Sequence, residues 1–324
     1  MTSPVPDEWH IYRGSGEPHD GIDRLPPPPP WRAFDAYGYR GTGTASRGAV
    51  YQVTPEIVQT VNAALYLRRP LLVTGPPGSG KSSLAYQVAH ELRLGAVLNW
   101  PITSRSTLRD GLYAYDALGR LQDANLSRHE APEVGRYLQL GPLGTALLPS
   151  PVPRVLLIDE IDKSDPDLPN DLLNVFEEGQ FVIPELARLA ETEASVRVYD
   201  TTGDTVVIDR GRVRARAFPF TVLTSNGERA FPPAFLRRCL RLDLPAPNAE
   251  QLLRIVQAHL GPEAVHQGAE LIRSFVDRRE TQSLSTDQLL NALFLFLRDR
   301  SDGEPFGSPE LKDQMLHTVL RRLD

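Results

Sequence analysis

The amino-acid sequence predicts an α/β protein, with a parallel sheet flanked by helices, an inserted β-hairpin and an all-helical region at the carboxyl end. Three observations lead to this fold class. Short apolar runs alternate with amphipathic segments from about residue 50 onward, and this order is typical of a parallel sheet covered by helices. A hairpin signature interrupts the alternation between residues 196 and 208. After Leu244, apolar residues recur only at helical spacing.

The same pattern divides the 324 residues into three predicted regions: a Pro/Gly-rich strap at 1–48, an α/β domain at 49–244 and a helical domain at 245–324. The strap holds eight prolines and seven glycines, so it is not expected to form a core of its own. It also carries six aromatic side chains, which favours packing on the body of the protein or on a neighbouring subunit. A disordered leader is the alternative.

Local signals place the elements of the α/β domain in order. Thr54-Pro55-Glu56 predicts a helix start, with Thr54 as the cap and Pro55 in the first turn. Strands are expected at 70–74, 96–100, 154–158 and 220–224, and helices at 82–92 and 168–176. Residues 196–199 and 205–208 flank the turn signature Thr201-Thr-Gly-Asp and form the predicted hairpin.

Two prolines, Pro245 and Pro247, mark the change to the helical region, and Asn248 is the expected cap of its first helix. Further helices follow from the apolar spacing. The predicted helices are 249–260, 263–279, 286–299 and 309–322.

Composition excludes several classes of protein. The longest apolar runs fall far short of the roughly 20 residues that a membrane span requires. The amino terminus lacks the features of a signal peptide, and the single cysteine, Cys239, cannot form an internal disulfide. Cys239 is expected to be a buried apolar side chain, with a mildly acidified thiol as the alternative. These features predict a cytoplasmic location, and the net charge of −6 argues against a nucleic-acid partner.

Residues 75–82, Gly-Pro-Pro-Gly-Ser-Gly-Lys-Ser, match the phosphate-binding pattern G-x-x-x-x-G-K-[ST] between a predicted strand and a predicted helix. The glycines let backbone N–H groups turn toward phosphate oxygens, Lys81 neutralises the β- and γ-phosphates, and the Ser82 hydroxyl ligates Mg²⁺. Lys81 is one of only three lysines among 35 basic residues. ATP and Mg²⁺ are therefore the predicted cofactors. The predicted nucleotide-binding residues of this loop are Gly75, Pro76, Pro77, Gly78, Ser79, Gly80, Lys81, Ser82 and Ser83.

An acidic segment follows the buried strand at 154–158 and supplies the candidate catalytic carboxylates. Ligands of parallel sheets bind at the carboxyl edge of the strands, so these carboxylates should face the phosphate loop. Asp159 is expected to contact the nucleotide and to hold Mg²⁺ through water. Glu160 is expected to polarise the water that attacks the γ-phosphate. Asp162 is expected to have a supporting structural role.

Three motifs together resemble the AAA+ ATPases: the phosphate loop at 75–82, Leu156-Leu-Ile-Asp-Glu, and the polar end Thr224-Ser-Asn226 of a later strand. Other segments are similar to the MoxR branch of that superfamily. They are Leu140-Gly-Pro-Leu, Asp159-Glu-Ile-Asp-Lys-Ser-Asp-Pro, Asn170-Asp-Leu-Leu-Asn-Val-Phe-Glu-Glu and Phe231-Pro-Pro-Ala-Phe-Leu-Arg-Arg-Cys. The resemblance covers roughly residues 50–300. It implies an AAA+ α/β domain with a helical lid and a Mg²⁺-dependent, oligomeric ATPase that remodels a partner.

The resemblance implies roles for residues beyond the two main motifs. Asn226 is the match to the sensor-1 residue, which would orient the attacking water. A simple turn at Asn226-Gly227 is the alternative. Arg238, or else Arg237, is the match to the arginine finger that completes a neighbouring subunit's site. A finger acting in trans implies a ring of identical subunits, usually a hexamer.

Two parts of the family pattern are not fixed by the sequence. Asp287 stands where the lid of related proteins carries a sensor-2 arginine, so no sensor-2 residue is assigned; Arg278 or Arg279 could serve instead. Adenine contacts are expected near Tyr51 to Val53, from backbone and apolar groups.

MoxR proteins often act on a separate client protein, for example one with a von Willebrand factor A domain, so the resemblance implies such a partner. Two rival functions stay open. One is a nucleic-acid-dependent motor, and the other is a nucleotide-gated signalling scaffold with little turnover. Arg210, Arg212, Arg214 and Arg216 alternate with a period of two and would share one face of a strand, either as a binding surface or as a charged edge. Arg105 and Arg109 follow a strand and are further candidates for client contact.

Overall fold

The computed structural model describes residues 20, 23, 53–126, 133–189, 193–199, 204–279 and 284–301, without the side chains of 277–279 and 298–301. Apart from residues 20 and 23, the predicted strap lies outside the described residues. Tyr51, the hairpin turn at 201–203 and the predicted helix at 309–322 lie outside them as well. The described chain forms two compact units. One is an α/β unit within Gly41–Pro76 and Gly80–Pro245, and the other is a helical unit within Ala246–Asp324 that takes in Pro77–Ser79.

The α/β unit contains the strands that the structure describes. They are β1 (Leu71–Thr74), β2 (Val97–Pro101), β3 (Tyr113–Tyr115), β4 (Leu138–Leu140), β5 (Val155–Asp159), β6 (Gln180–Val182), β7 (Glu193–Arg197), β8 (Thr205–Asp209), β9 (Arg212–Arg214), β10 (Phe220–Ser225) and β11 (Leu240–Asp243). Five of them form a parallel sheet in the order β11-β1-β10-β5-β2. The predicted α/β fold class, a parallel sheet flanked by helices, is confirmed.

The central strands β5 and β10 are buried on both faces. All six residues of β10 and the first four of β5 are buried. Strand β5 is accordingly apolar up to Asp159, whereas β10 also buries the hydroxyl side chains of Thr221, Thr224 and Ser225. Alternate residues belong to different cores. Leu156 and Ile158 pack into one apolar cluster, while Val155 and Leu157 pack into a second cluster on the opposite face.

The other six strands form two smaller sheets. One has the order β3-β4-β7-β8, and the other is the antiparallel pair β6-β9. Strands β7 and β8 pair from Glu193↔Asp209 to Arg197↔Thr205, which confirms the predicted hairpin. The prediction that the four alternating arginines share a strand is only partly correct. Strand β9 contains Arg212 and Arg214, whereas Arg210 lies in the preceding turn with a φ of 49°.

Helices connect and cover the strands of the α/β unit. They are α1 (Pro55–Leu67), α2 (Lys81–Glu91), α3 (Leu108–Leu112), α4 (Ala117–Leu126), α5 (Pro142–Ala146), α6 (Leu168–Glu178), α7 (Pro184–Ala187) and α8 (Pro233–Arg238). Helix α1 begins as predicted: Thr54 Oγ1 accepts a hydrogen bond from the backbone N–H of Ile57 at 3.3 Å, and Pro55 stands in the first turn. Short 3₁₀ turns occur at Val134–Tyr137 and Ile161–Lys163.

The helical unit is built from α9 (Ala249–Leu260), α10 (Pro262–Gln267), α11 (Ala269–Arg279) and α12 (Thr286–Ser301). The predicted cap at Asn248 is confirmed, because its side chain accepts from the N–H of Gln251 at 2.8 Å. The predicted helix at 263–279 is instead two helices that meet at Gly268, a residue of low helix propensity. Val256, Phe275 and Leu289 are fully buried in the core of this unit. Within the described residues, no helix is both long and apolar enough to cross a membrane.

Candidate nucleotide-hydrolysis site

The phosphate loop connects β1 to α2 and depends on backbone geometry that glycine adopts readily. Gly75, Gly78 and Gly80 have φ angles of 150°, 75° and 87°. Gly80 is the amino-terminal cap of α2 and has a left-handed conformation. The first N–H groups of a helix have no partner within the helix, and the helix dipole favours negative charge there. The loop therefore has the geometry of an anion-binding turn.

Lys81 is the first residue of α2, and its side chain is almost fully buried, with 8% of the residue exposed. Its ammonium donates hydrogen bonds to the carbonyl oxygens of Gly75 at 2.7 Å and Pro76 at 2.9 Å. Burial lowers the pKa of Lys81, while the negative charges of Asp162, Asp159 and Glu160 oppose that shift. The loop thus holds a buried cation that faces the acidic end of β5.

Asp159 ends β5 and receives two hydroxyl groups. Ser82 Oγ donates to Asp159 Oδ1 at 2.7 Å, and Thr224 Oγ1 donates to the same oxygen at 2.6 Å. Thr224 is 1% exposed and comes from β10, which lies beside β5 in the sheet. The ends of two parallel strands therefore bring Asp159 against the first turn of α2.

Glu160 follows directly and has a left-handed backbone, with φ 60° and ψ 48°. A non-glycine residue in this region is disfavoured by about 1–2 kcal/mol, and such conformations concentrate at functional sites. Its N–H donates to Thr224 Oγ1 at 2.8 Å, and its carboxylate accepts from Lys163 Nζ at 2.7 Å. This hydrogen bond raises the pKa of Lys163. About 43% of the Glu160 side chain is exposed.

Asn226 follows β10 and starts a turn in which Gly227 has a φ of 80°. The simple turn at Asn226-Gly227, which was the alternative to a sensor-1 role, is therefore present, and the Asn226 side-chain amide lies at its start. Asn226 Nδ2 donates to Glu228 Oε1 at 3.3 Å, and its backbone N–H donates to Asp162 Oδ2 at 2.9 Å. The buried Asp162 thus connects this turn to the acidic segment after β5.

The two candidate finger residues end α8 and differ in their contacts. Arg238 forms an ion pair with Glu177 of α6 and also donates to the carbonyl of Ala234 at 3.3 Å. The Arg237 side chain is exposed and forms no ion pair with another described residue. Its carbonyl accepts from the guanidinium of Arg69.

The structure also describes other residues that the sequence singled out. Arg109 pairs with Glu185 at 2.8 Å and stacks over the Tyr113 ring at 5.3 Å, so its side chain ties α3 to α7. Arg105 is exposed. Asp287 lies in the first turn of α12. Arg278 and Arg279 lie in α11, and their side chains are outside the described residues.

Cys239 is buried, with 7% of the residue exposed. Burial raises the pKa of its thiol to about 12, and the nearby charge of Arg69 only partly opposes this shift. The structure therefore supports the expected buried apolar side chain and contradicts the alternative of an acidified thiol, because loss of solvent outweighs the arginine charge.

The sequence alone assigned no function to two residues of this hydrogen-bonded cluster, Thr224 and Lys163. Thr224 forms hydrogen bonds with both acidic residues, and its signal in the sequence was a hydroxyl side chain two positions before Asn226. Lys163 pairs with Glu160, and its signal was the rarity of lysine in this chain. Both contacts depend on how a turn folds back, which residue spacing alone does not specify.

A glycine-rich loop between a strand and a helix, with acidic residues at the end of a neighbouring parallel strand, defines a P-loop nucleotide-hydrolysing protein. The family comparison is more specific. The family described as AAA domain (dynein-related subfamily) matches residues 70–239, just over half of the chain. The chain therefore belongs to this family; it is a P-loop ATPase with the AAA+ fold.

Comparison with solved structures gives more distant similarities. NtrX from Brucella abortus in complex with ADP is 16% identical, with a TM-score of 0.44, and the match covers 81% of this chain and 55% of that chain. The same protein in complex with ATP is 16% identical, with a TM-score of 0.40 and coverages of 76% and 51%. This chain thus spans about half the length of NtrX. No protein with a curated description matches the chain.

Proposed function

We propose that this protein is a Mg²⁺-dependent AAA+ motor of the MoxR-like branch, which assembles into a ring and uses ATP hydrolysis to remodel a separate client protein. One observation carries the proposal of ATP hydrolysis: the hydroxyl groups of Ser82 and Thr224 both donate hydrogen bonds to Asp159 Oδ1. It joins the phosphate loop to the acidic strand end, and Glu160 follows as the next residue.

The residues of the loop fit a nucleotide with its metal ion. The Ser79 hydroxyl is buried and has no partner among the described residues, so a phosphate oxygen would satisfy it. Ser82 and Asp159 offer the hard oxygen ligands that Mg²⁺ prefers. No cluster of three or more His, Cys, Asp or Glu side chains that could hold a metal occurs in the described part of the chain. Ser82, Asp159 through water, and phosphate oxygens would therefore hold Mg²⁺, which when bound neutralises charge that develops on the phosphates.

The residues of this chain would divide the hydrolytic work. Lys81 neutralises phosphate charge, together with the loop N–H groups at the start of α2. Glu160 accepts a proton from the attacking water, a step that typically contributes 10²–10⁴-fold to the rate. Asn226 holds the water in line, because an amide both donates and accepts hydrogen bonds.

A ring, usually a hexamer in this superfamily, would place an arginine of one subunit at the site of the next. Arg238 is the position that matches related proteins, but its guanidinium is paired with Glu177 of the same chain. Arg237 has no such pairing among the described residues. Both residues remain candidates, and separate alanine substitutions distinguish them.

The remaining parts of the proposal concern organisation and surroundings. We place the strap at 1–48, the nucleotide-binding domain at 49–244 and the lid at 245–324, in a cytoplasmic protein. The client is a separate protein, for example one with a von Willebrand factor A domain.

The decisive test of hydrolysis replaces the carboxylate of Glu160 with an amide. Glu160→Gln is expected to bind ATP within about three-fold of the wild-type affinity and to lose at least 100-fold in kcat. Glu263→Gln, the same change on an exposed glutamate of α10, is the matched control and should behave as wild type. A wild-type protein that neither binds nor hydrolyses MgATP at any concentration would contradict the proposal.

A nucleic-acid-dependent motor is the second candidate, and β9 is the observation that favours it. Arg212 and Arg214 are exposed on one face of this strand, while Val213 between them is buried. DNA or RNA that stimulates wild-type hydrolysis in a salt-dependent manner, but not an Arg212→Glu/Arg214→Glu variant, would support it. A signalling scaffold would retain its function in the Glu160→Gln variant, whereas a motor would not.

A further inference from the structure

Asp162 is a buried carboxylate in the 3₁₀ turn after Glu160. Only 4% of this residue is exposed. Carboxylates are almost never fully buried unless they are paired, so a specific interaction must compensate its desolvation. Its contacts identify that interaction.

Asp162 Oδ2 accepts two backbone N–H groups from the turn after β10. The donors are Asn226 at 2.9 Å and Glu228 at 3.3 Å. Gly227, which lies between the two donors, has a φ of 80°, so the chain makes a tight turn there. The carboxylate holds this turn by the N–H groups on either side of Gly227. The backbone of Asn226 is therefore held by a residue only two positions after Glu160.

The second carboxylate oxygen supports a role beyond capping a turn. Asp162 Oδ1 is buried and has no partner among the described residues. An asparagine would accept these N–H groups through a neutral oxygen, and hydrogen bonds to a neutral acceptor are roughly half as strong as those to a carboxylate. Asp162 is also the carboxylate whose charge acts most strongly on Lys81. It thus connects the acidic turn to the Asn226 turn, and its negative charge opposes the lowering of the Lys81 pKa.

We propose that Asp162 is a positioning residue for ATP hydrolysis, which acts through Asn226 by fixing the amide relative to Glu160. This inference rests on the proposed function. Its loss should slow turnover and leave nucleotide affinity largely unchanged, because the loop from Gly75 to Ser82 remains in place.

The test is a double-mutant cycle of Asp162→Asn with Asn226→Ala, with kcat and ATP affinity measured for each protein. Asp162→Asn alone should lower kcat at least ten-fold, with the ATP dissociation constant within three-fold of wild type. In the Asn226→Ala background, the same substitution should change kcat less than two-fold, because the residue through which it acts has already been removed. Asp171→Asn, on the exposed face of α6, is the matched control and should leave both quantities unchanged.

Asp162→Glu is the second variant and guards against a simple failure to fold. It keeps the charge but moves the carboxylate by one methylene, so it should also lower kcat while the protein unfolds cooperatively. Equal losses of kcat in both backgrounds, a wild-type kcat for Asp162→Asn, or loss of cooperative unfolding in both Asp162 variants would overturn the positioning role. Suppose that the wild-type protein hydrolyses ATP, Glu160→Gln does not, and Asp162→Asn has the wild-type kcat. The positioning role of Asp162 is then refuted, while the proposed function stands. An inactive wild-type protein removes the proposed function as well.

Discussion

At the residue scale, Glu160 is held by contacts of unequal strength. Its backbone N–H donates to the fully buried Thr224, whereas its carboxylate pairs with Lys163 at a position where both side chains are about 43–44% exposed. Exposed ion pairs contribute about 0–1 kcal/mol, so the backbone contact and the left-handed turn fix Glu160 more firmly than Lys163 does.

Because the contact with Lys163 is the weaker of the two, Lys163→Met is expected to lower kcat only slightly. A loss of at most about 1 kcal/mol corresponds to a decrease in kcat of no more than about five-fold, since Glu160 gains rotational freedom but keeps its charge. Lys163→Arg, which retains the cation, should restore most of the difference. Steady-state ATPase assays on the three proteins measure this, and a decrease beyond about 50-fold would make Lys163 part of the catalytic machinery.

Cys239 predicts a pH dependence of stability. Its thiol titrates near 9.0 in the unfolded chain, whereas burial raises the pKa to about 12 in the folded chain. The unfolded state therefore loses its proton first, so the contribution is complete below pH 9 and is lost as the pH rises toward 12. By pH 10.5, wild type should lose about 2 kcal/mol more than Cys239→Ala.

Urea unfolding of wild type and Cys239→Ala at pH 8, 9.5 and 10.5 checks this prediction. The difference in unfolding free energy between the two proteins should change steadily with pH in the stated direction. Other groups that titrate in this range, such as Tyr113, are common to both proteins and cancel. A difference that stays constant with pH would show that the thiol is as accessible in the folded chain as in the unfolded one.

At the scale of elements, the sequence predicted the strands and helices that have a strong apolar pattern. Strands β1, β2, β5 and β10 and helices α1, α2, α6 and α9 lie within a few residues of their predicted positions. The short strands β3, β4 and β6 were missed, because three residues are too few to show alternation. The edge strand β11 was missed as well, since its exposed Arg241 and Asp243 interrupt the apolar run.

The packing of helix α5 yields a prediction about glycine. A Cβ atom on Gly144 would lie 1.9 Å from the carbonyl oxygen of Leu112, so the backbones would have to separate. Gly144→Ala should therefore lower the unfolding free energy by about 3 kcal/mol or more. Gly95→Ala is the matched control, because nothing lies within 4 Å of its Cβ position and only its φ of 86° is unfavourable, by about 1–2 kcal/mol.

Denaturant titration of both glycine variants measures the two losses. If Gly144→Ala were no less stable than Gly95→Ala, the close approach of α5 to Leu112 would be wrong. The comparison separates a steric contact from backbone strain, because the Cβ of Gly144→Ala meets another backbone, whereas Gly95→Ala is unfavourable only through its φ angle.

At the scale of the whole molecule, sequence predicted the position of the site better than its internal contacts. Parallel topology places the ends of β5 and β10 side by side, so Asp159 and Asn226 could be assigned to one edge before any coordinates. The pairing of Arg238 with Glu177 could not be foreseen, since the two residues are 61 positions apart.

The measurement that tests the central claim most directly is a subunit-mixing assay. One protein is Glu160→Gln, which lacks the base but keeps both arginines. The other is Arg237→Ala/Arg238→Ala, which keeps the base but lacks any finger from α8. Each alone should hydrolyse ATP at least 100-fold more slowly than wild type, with light scattering showing that each still assembles.

Mixing the two should restore activity, because some Arg237→Ala/Arg238→Ala subunits then receive an arginine from a Glu160→Gln neighbour. We expect partial recovery that peaks at intermediate ratios and disappears on dilution below the assembly concentration. If the mixture instead remains as inactive as its components, or the double arginine variant alone is as active as wild type, the trans-acting ring mechanism is contradicted.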